Sequence, residues 1–215
     1  MKRSVDLLMF DLDGTLADTG EDLANSVNFT RGQFNLGALA AHSVYRHIGR
    51  GVDHLLKHAI PELGQVHFEQ VRDLFLRHYE EHLLDQTTLY AGIRKVLHDF
   101  SDKRRAVVSN KFHRLAVKLL DGLGVANCFD AILGGDSAAE KKPDPALLNA
   151  ALKQFGLPAA RAVMVGDGDI DIEAGKRAGV MTCGVTYGLG DKNDLTAAKP
   201  DVLIHHPIEL ADYFL

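Results

Sequence analysis

The chain has 215 residues, 46% of them hydrophobic and 25% charged, so it can bury a large core and should not be disordered. Its 24 Lys and Arg against 29 Asp and Glu give a net charge of −5, which argues against binding to nucleic acid or to an anionic membrane. No apolar run reaches ~18 residues, so no membrane span is expected. Asp6, Asp11 and Asp13 interrupt the apolar stretch near the N-terminus, so no signal peptide is expected. Two cysteines cannot form a disulfide framework, which favours reduced thiols and a cytoplasmic location.

Short apolar runs rich in β-branched residues recur along the chain. They are apolar throughout rather than alternating, which is typical of strands buried on both faces of a parallel sheet. The runs lie at residues 5–10, 106–108, 131–133, 162–165 and 181–185. Helices between the later runs are predicted at about 112–123, 145–155 and 170–178. This alternation predicts an α/β fold with a doubly wound parallel sheet.

The interval between the first two runs is too long for a simple connection. A normal crossover takes about 30 residues, and this interval is roughly three times as long. Apolar residues recur in it at helical spacing, with glycine and proline between the pieces. We therefore predict a helical cap domain at 16–88, inserted into a core domain made of 1–15 and 89–215. Residues 91–101 are predicted to form the helix that returns to the sheet.

Polar residues follow the ends of the predicted strands. They are Asp11 and Asp13 after the first run, Ser109 and Asn110 after the second, Lys142 before the fourth, and Asp167 and Asp171 after it. The carboxyl ends of parallel strands form the ligand-binding edge of an open sheet, so these residues should converge. Carboxylates that converge repel one another unless a cation neutralises them, and Mg²⁺ prefers oxygen ligands. A single Asp there could simply cap a helix, but the whole set favours phosphoryl transfer.

The same residues resemble the motifs of the haloacid dehalogenase superfamily. The four motif matches are 11–15 (DLDGT), 107–110 (VVSN), Lys142-Pro143, and Gly166-Asp167 with Asp171. They occur in the family's order over essentially the whole chain. The resemblance implies a Rossmann-like core with an α-helical cap placed just after the first motif.

The resemblance also implies a mechanism. Asp11 would attack phosphorus and form an aspartyl phosphate, while Asp13 would protonate the leaving group and then deprotonate water. A Mg²⁺ cofactor would be held by Asp11, by the main-chain carbonyl of Asp13 and by Asp167. Asp at position 13 favours a phosphatase or phosphomutase, because dehalogenases of the superfamily lack it and P-type ATPases carry Lys there.

The remaining motif residues would support this chemistry. Ser109 would donate a hydrogen bond to a phosphoryl oxygen, and Lys142 would offset negative charge on the phosphate and on the nucleophile. Asp171 would act through another group, by orienting Lys142 or metal-bound water. Asn110, beside the serine, is a candidate substrate-binding residue.

Residues 48–52 (IGRGV) resemble the glycine-bearing cap segment of the phosphoglycolate phosphatase branch. Arg50, with Gly51 beside it, could meet the carboxylate of a small substrate. Alternatively, the glycines only form a turn between helices and Arg50 is solvated. Gly168 and Ile170 depart from the residues common in the family, and neither carries the chemistry.

The expected function is hydrolysis of small phosphate monoesters, with 2-phosphoglycolate as first candidate. Pyrophosphate, a sugar phosphate or a nucleotide are alternative substrates, and a phosphosugar mutase is less favoured. A non-enzymatic Asp phospho-acceptor module normally lacks both a paired acid such as Asp13 and a helical cap. The expected partner is a small phosphorylated metabolite, not nucleic acid or a membrane, and the chain should be a monomer or small homo-oligomer.

Histidines cluster in the predicted cap. Residues 78–82 (HYEEH) match an inverted zinc-protease signature, but no further ligand stands out, and a solvated helix face is the favoured interpretation. His54 and His58 share the i, i+4 spacing of one helix face. They could bind a transition metal or simply lie at the surface.

Overall fold

The computed structural model describes residues 2–63 and 67–215. The strands found there are β1 (Leu7–Phe10), β2 (Ala17–Asp18), β3 (Thr88–Leu89), β4 (Arg104–Val108), β5 (Ala131–Leu133), β6 (Ala162–Gly166), β7 (Met181–Val185) and β8 (Val202–Ile204). The helices are α1 (Gly20–Gln33), α2 (Ala41–Tyr45), α3 (Val52–Ala59), α4 (Phe68–His82), α5 (Ile93–Asp99), α6 (His113–Gly122), α7 (Ala146–Phe155), α8 (Asp169–Ala178), α9 (Lys192–Ala197) and α10 (Leu210–Tyr213).

Within the described residues, six strands form one parallel sheet in the order β5-β4-β1-β6-β7-β8. The chain leaves β1 for β4 and β5 on one side, then crosses back to β6 on the other side. Strand order therefore reverses at β1, and such a switch point is where open α/β sheets bind ligands. The fold class predicted from the apolar runs is confirmed.

The central strand is buried on both faces, as an uninterrupted apolar run predicts. Leu8 and Phe10 belong to the larger hydrophobic core, which continues into the helices between β2 and β3. Leu7 and Met9 point to the opposite face and join the core beneath α7. All four side chains are at most 2% exposed, so close packing on both faces holds β1 in place and fixes where the next residues begin.

Some strand limits differ from the prediction. The first strand begins at Leu7 rather than at residue 5, because Asp6 turns to form an ion pair with Arg161. The second begins at Arg104 rather than at 106, since its polar first residues still pair with β1. Strand β8 was not predicted. It is three residues long and lies at the sheet edge, so it leaves little periodicity to detect.

Helices α1 to α4 lie between the two strands of a small antiparallel ribbon. Ala17 pairs with Leu89 and Asp18 pairs with Thr88, so the chain leaves and re-enters the core side by side. The predicted division of the chain at 16 and 88 falls on this ribbon, and it stays a prediction. None of the helices in the described part of the chain has the length and hydropathy that a bilayer crossing requires.

Candidate active site

Three polar residues sit where three neighbouring strands end. Asp11 follows β1, Ser109 follows β4 and Asp167 follows β6, and each side chain is almost fully buried. The Asp11 N–H still donates to the Val165 carbonyl at 2.9 Å, so the sheet itself orients the first carboxylate. The residues predicted to converge from separate strands therefore do lie at one edge.

A turn at Gly14 brings the chain after β1 close to the carboxylate of Asp167. Gly14 has a φ of +83°, which residues with a side chain rarely adopt. A Cβ built there would lie 2.1 Å from Oδ2 of Asp167, so any larger residue would displace that carboxylate. The motif glycine thus serves both the turn after β1 and the packing of Asp167 beside it.

Lys142 is the cation at the centre of this edge. Its ammonium lies 2.9 Å from Oδ1 of Asp11, and it donates to Oδ1 of Asp171 at 2.6 Å and to the Val108 carbonyl at 2.7 Å. Burial opposes charge on Lys142, but Asp11 and Asp171 outweigh it and raise the pKa of the ammonium. The other oxygen of Asp171 accepts from the Gly168 N–H at the start of α8.

Asp167 lies close to the carboxylates of Asp11 and Asp171. One oxygen accepts from the Thr15 hydroxyl at 3.1 Å, and the other accepts from the N–H groups of Leu189 and Gly190 at 2.8 Å each. Burial raises the pKa of Asp167 to about 7, with further contributions from Asp11 and Asp171. The three buried carboxylates therefore repel one another around a single ammonium, that of Lys142.

The arrangement fits a divalent cation with hard oxygen ligands. Oxygens of Asp11, Asp167 and Asp171 lie within 4.8 Å of one another. Oδ1 of Asp11 is buried and has no hydrogen-bond partner among the described residues, because its 2.9 Å contact with Lys142 is an ion pair without hydrogen-bond geometry. Carboxylate oxygens without full hydrogen bonding are the donors that Mg²⁺ prefers.

Asp13 belongs to a separate buried network that reaches into α4. Its carboxylate accepts from Lys111 at 2.8 and 3.1 Å and from the Thr19 hydroxyl at 2.8 Å. Lys111 also donates to the Tyr79 hydroxyl at 2.9 Å. Burial raises the pKa of Tyr79 to about 12, so its hydroxyl keeps its proton while it accepts from Lys111.

Lys111 and Tyr79 are candidate site residues that the sequence did not single out. No motif or spacing in the sequence assigned a role to either residue. A usable signal was available, since a buried Asp13 needs a counter-charge. Finding its source required the fold.

The candidate substrate-binding residues are held by contacts of their own. The Asn110 amide donates to the carbonyls of Gly49 and Lys142, and its oxygen accepts from the Lys142 N–H. Asn110 therefore bridges the glycine segment to the lysine loop and keeps no free amide donor. Arg50 is 41% exposed and pairs with Asp169 of α8 at 2.6 Å, which ties the glycine segment to the sheet edge. Gly51, at φ +89°, precedes α3.

A small recess opens beside Asp13. Its volume is about 30 Å³, and its walls are mostly apolar. The lining residues are Asp13, Leu23, Ile48, Gly49, Gly51, Val52, Leu55, Tyr79, Lys111 and Leu115. A larger polar cleft of about 60 Å³ adjoins it, lined by Asp11, Asp167 and Arg50 among others. The sheet edge thus has a polar cleft suited to a charged group and a recess suited to a small group.

A model of the haloacid dehalogenase-like hydrolase family matches residues 8–185. The chain belongs to this family. The comparison confirms the family and the hydrolase class expected from the motifs, and it includes the segments that carry Asp11, Ser109, Lys142 and Asp167.

Named relatives extend over nearly the same length. A phosphoglycolate phosphatase of Colwellia psychrerythraea is 34% identical over 204 residues, which are 91% of this chain and 90% of that protein. A phosphoglycolate phosphatase of Neisseria meningitidis is 37% identical over 212 residues, covering 93% of this chain and 89% of that one. The crystal structure of a predicted phosphoglycolate phosphatase from Haemophilus somnus superposes with a TM-score of 0.92 at 30% identity, covering 97% of both chains.

Proposed function

We propose that this haloacid dehalogenase-like hydrolase is a Mg²⁺-dependent phosphatase of small phosphate monoesters, with 2-phosphoglycolate as its substrate. The observation that carries the proposal is the pairing of two buried carboxylates with different surroundings. Asp11 lies against Lys142 in the polar cleft, whereas Asp13 lines both that cleft and the small recess and is held by Lys111. The names of the relatives support the choice of substrate.

In the first half-reaction, an Asp11 oxygen attacks phosphorus and the bond from phosphorus to the leaving alkoxide breaks. Asp13 gives its proton to that alkoxide, so glycolate leaves as a neutral alcohol group. The phosphoryl group is then bonded to Asp11. Lys142 and the Ser109 hydroxyl offset or bind the charge on its oxygens.

In the second half-reaction, Asp13 takes a proton from water as the water oxygen attacks the aspartyl phosphate. The bond from phosphorus to Asp11 breaks, inorganic phosphate leaves and both carboxylates return to their starting state. Bound Mg²⁺ would supply positive charge to the phosphoryl oxygens. Asp11, the Asp13 carbonyl and Asp167 would hold the ion, and Asp171 would keep Lys142 in place.

The recess sets the size of the leaving group. The recess is narrow, and its volume of about 30 Å³ favours a small leaving group over a sugar ring. Lys111 lines the recess, and Arg50 lies at the adjoining cleft, so each could meet a substrate carboxylate. To bind the substrate carboxylate, Arg50 would give up its ion pair with Asp169.

The helices within 16–88 would act as a cap that excludes water during the reaction. Their contacts with the core include the Arg50 pair and the bridge from Asn110 to Gly49. A cytoplasmic enzyme that is a monomer or a small homo-oligomer completes the proposal, in keeping with the free thiols of Cys128 and Cys183.

Phosphate release from a substrate panel tests the proposed function. The panel contains 2-phosphoglycolate, pyrophosphate, sugar phosphates, nucleotides and an aryl phosphate, each with Mg²⁺ or with EDTA. We expect a Mg²⁺-dependent preference for 2-phosphoglycolate. Equal rates across the panel would reject 2-phosphoglycolate as the specific substrate. Phosphoryl transfer that depends on a sugar bisphosphate would indicate a mutase. No release from any compound by folded protein would favour a phospho-acceptor module.

Arg50→Ala tests the selection of substrate. We expect KM for 2-phosphoglycolate to rise roughly tenfold or more, since a charge-assisted hydrogen bond is lost, while the aryl phosphate is unaffected. Arg72→Ala is the matched control, because Arg72 pairs with Asp53 and Glu69 on the helices. Equal changes for both substrates would show that Arg50 does not recognise the carboxylate.

A further inference from the structure

Three histidines come together away from the carboxylates. His54 and His58 lie one turn apart on α3, and His47 comes from the segment that follows α2. Ring centroids are 4.1 Å apart for His54 and His58, 4.7 Å for His47 and His58, and 6.0 Å for His47 and His54. The helical spacing accounts for two of these rings, and the third joins them only through the fold.

The three rings bring nitrogen atoms close together. One ring nitrogen from each histidine lies within 4.8 Å of the other two. Nδ1 of His58 is 2.8 Å from the main-chain carbonyl of His54, and a carbonyl can only accept. Nδ1 therefore carries the proton in the neutral ring, which leaves the Nε2 lone pair free. Histidine ligands are commonly oriented by such a bond on their other nitrogen.

The surroundings favour neutral rings. Burial, together with the nearby cations, lowers the pKa of His54 to about 4 and lowers that of His47. Arg46, Arg50 and Lys57 are the cations that face the cluster, and they also oppose a divalent ion. Asp169 offsets Arg50 at 2.6 Å. Neutral imidazoles offer their lone pairs without first releasing a proton.

We propose that His47, His54 and His58 form a binding site for a transition-metal ion that prefers imidazole nitrogen, such as Zn²⁺ or Ni²⁺. Three nitrogen ligands leave the remaining positions to water, and the donor type separates this site from the oxygen ligands at Asp11. Because His47 and His54 flank Arg50, a bound ion would tie both ends of the segment that carries the arginine. Occupancy would thereby restrain the cap next to the polar cleft.

A second histidine pair on α4 provides a matched comparison. His78 and His82 also lie one turn apart, with ring centroids 4.4 Å apart. The Nδ1 atoms of this pair are 3.0 Å from the Ser26 hydroxyl and 2.8 Å from the Asp85 carboxylate. No third imidazole joins them in the part of the chain that the structure describes. Spacing alone therefore does not distinguish the two pairs, and the third ring does.

The test is calorimetric titration of untagged protein with Zn²⁺ in excess Mg²⁺, which keeps the carboxylate site occupied. We expect wild type to bind one equivalent, and His54→Gln and His58→Gln to weaken binding by roughly tenfold or more. His82→Gln should bind as wild type. Visible absorption of bound Co²⁺ gives a second readout, which should diminish in the same two variants.

The proposal would be overturned if wild type bound no Zn²⁺, or if His54→Gln and His58→Gln bound it as tightly as wild type. Circular dichroism checks that each variant is folded. His47→Gln replaces a residue outside the helices, so it provides a test if the helix variants do not fold. None of these outcomes depends on phosphatase activity, so they are independent of the proposed function.

Discussion

The surroundings of Asp13 distinguish the two carboxylates of the first motif. Asp11 contacts a lysine shared with Asp171, whereas Asp13 accepts two contacts from Lys111 and one from Thr19. A residue that gives up a proton in one half-reaction and takes one in the other depends more on a fixed side-chain position than on a permanent charge. Lys111 and Thr19 supply that position.

Lys111→Met should therefore lower kcat by roughly a hundredfold, the lower end of what a positioned acid or base contributes. Lys111→Arg keeps the charge and should recover part of the loss. Lys153→Met, an exposed lysine on α7, is the control and should be silent. A Lys111→Met enzyme with wild-type kcat would mean that Asp13 does not depend on this contact.

At the scale of elements, α4 is joined to the core through the same lysine. Tyr79 is 1% exposed, and its hydroxyl accepts from Lys111, while Glu80 on the next position contacts Arg114 and Lys118 of α6. These contacts hold a helix of the proposed cap against the wall of the recess. The recess consequently has both cap and core residues in its lining.

Tyr79→Phe should reduce the free energy of unfolding by about 1.5–3 kcal/mol, because the buried ammonium loses one hydrogen-bond partner and gains none. Urea denaturation measures the change. Tyr213→Phe is the matched control, since Tyr213 is 41% exposed and should change stability little. Equal stability of the Tyr79→Phe variant and wild type would show that the contact is not stabilising.

The elements could be predicted because the sheet is parallel and buried on both faces. An apolar run such as residues 7–10 predicts a buried strand of a parallel sheet when glycine, predicted helices and further apolar runs follow it. The same logic predicted that Asp11, Ser109 and Asp167 would converge, since strand ends share an edge. Lys111 is different, because it lies 98 positions from Asp13 and in the loop beyond β4, so the strand pattern does not predict where its side chain points. His47 was missed for a similar reason, since it lies outside the helix that carries the other two rings.

At the scale of the whole molecule, the sheet edge stores unfavourable electrostatic energy that a cation can relieve. Asp11, Asp167 and Asp171 are buried together with one ammonium, and the pKa of Asp167 is raised to about 7. Folding brings these charges together against their mutual repulsion. A divalent ion that binds only the folded chain should offset that cost.

Mg²⁺ in large excess over its dissociation constant should therefore raise Tm by roughly 5–10 °C over protein in EDTA. In Asp167→Asn the increase should be largely lost, because a ligand oxygen and its charge are replaced. Asp99→Asn, on exposed α5 surface, should keep the full increase. A Tm that does not respond to Mg²⁺ in wild type would contradict a metal site at these carboxylates.

The central claim is that Asp11 is the nucleophile, and a rapid acid quench with 2-phosphoglycolate labelled in the phosphoryl group tests it most directly. The account predicts label on the peptide that contains Asp11 in wild type, and neither label nor phosphate release with folded Asp11→Asn. Wild-type turnover by Asp11→Asn, or label on a different residue, would contradict the account.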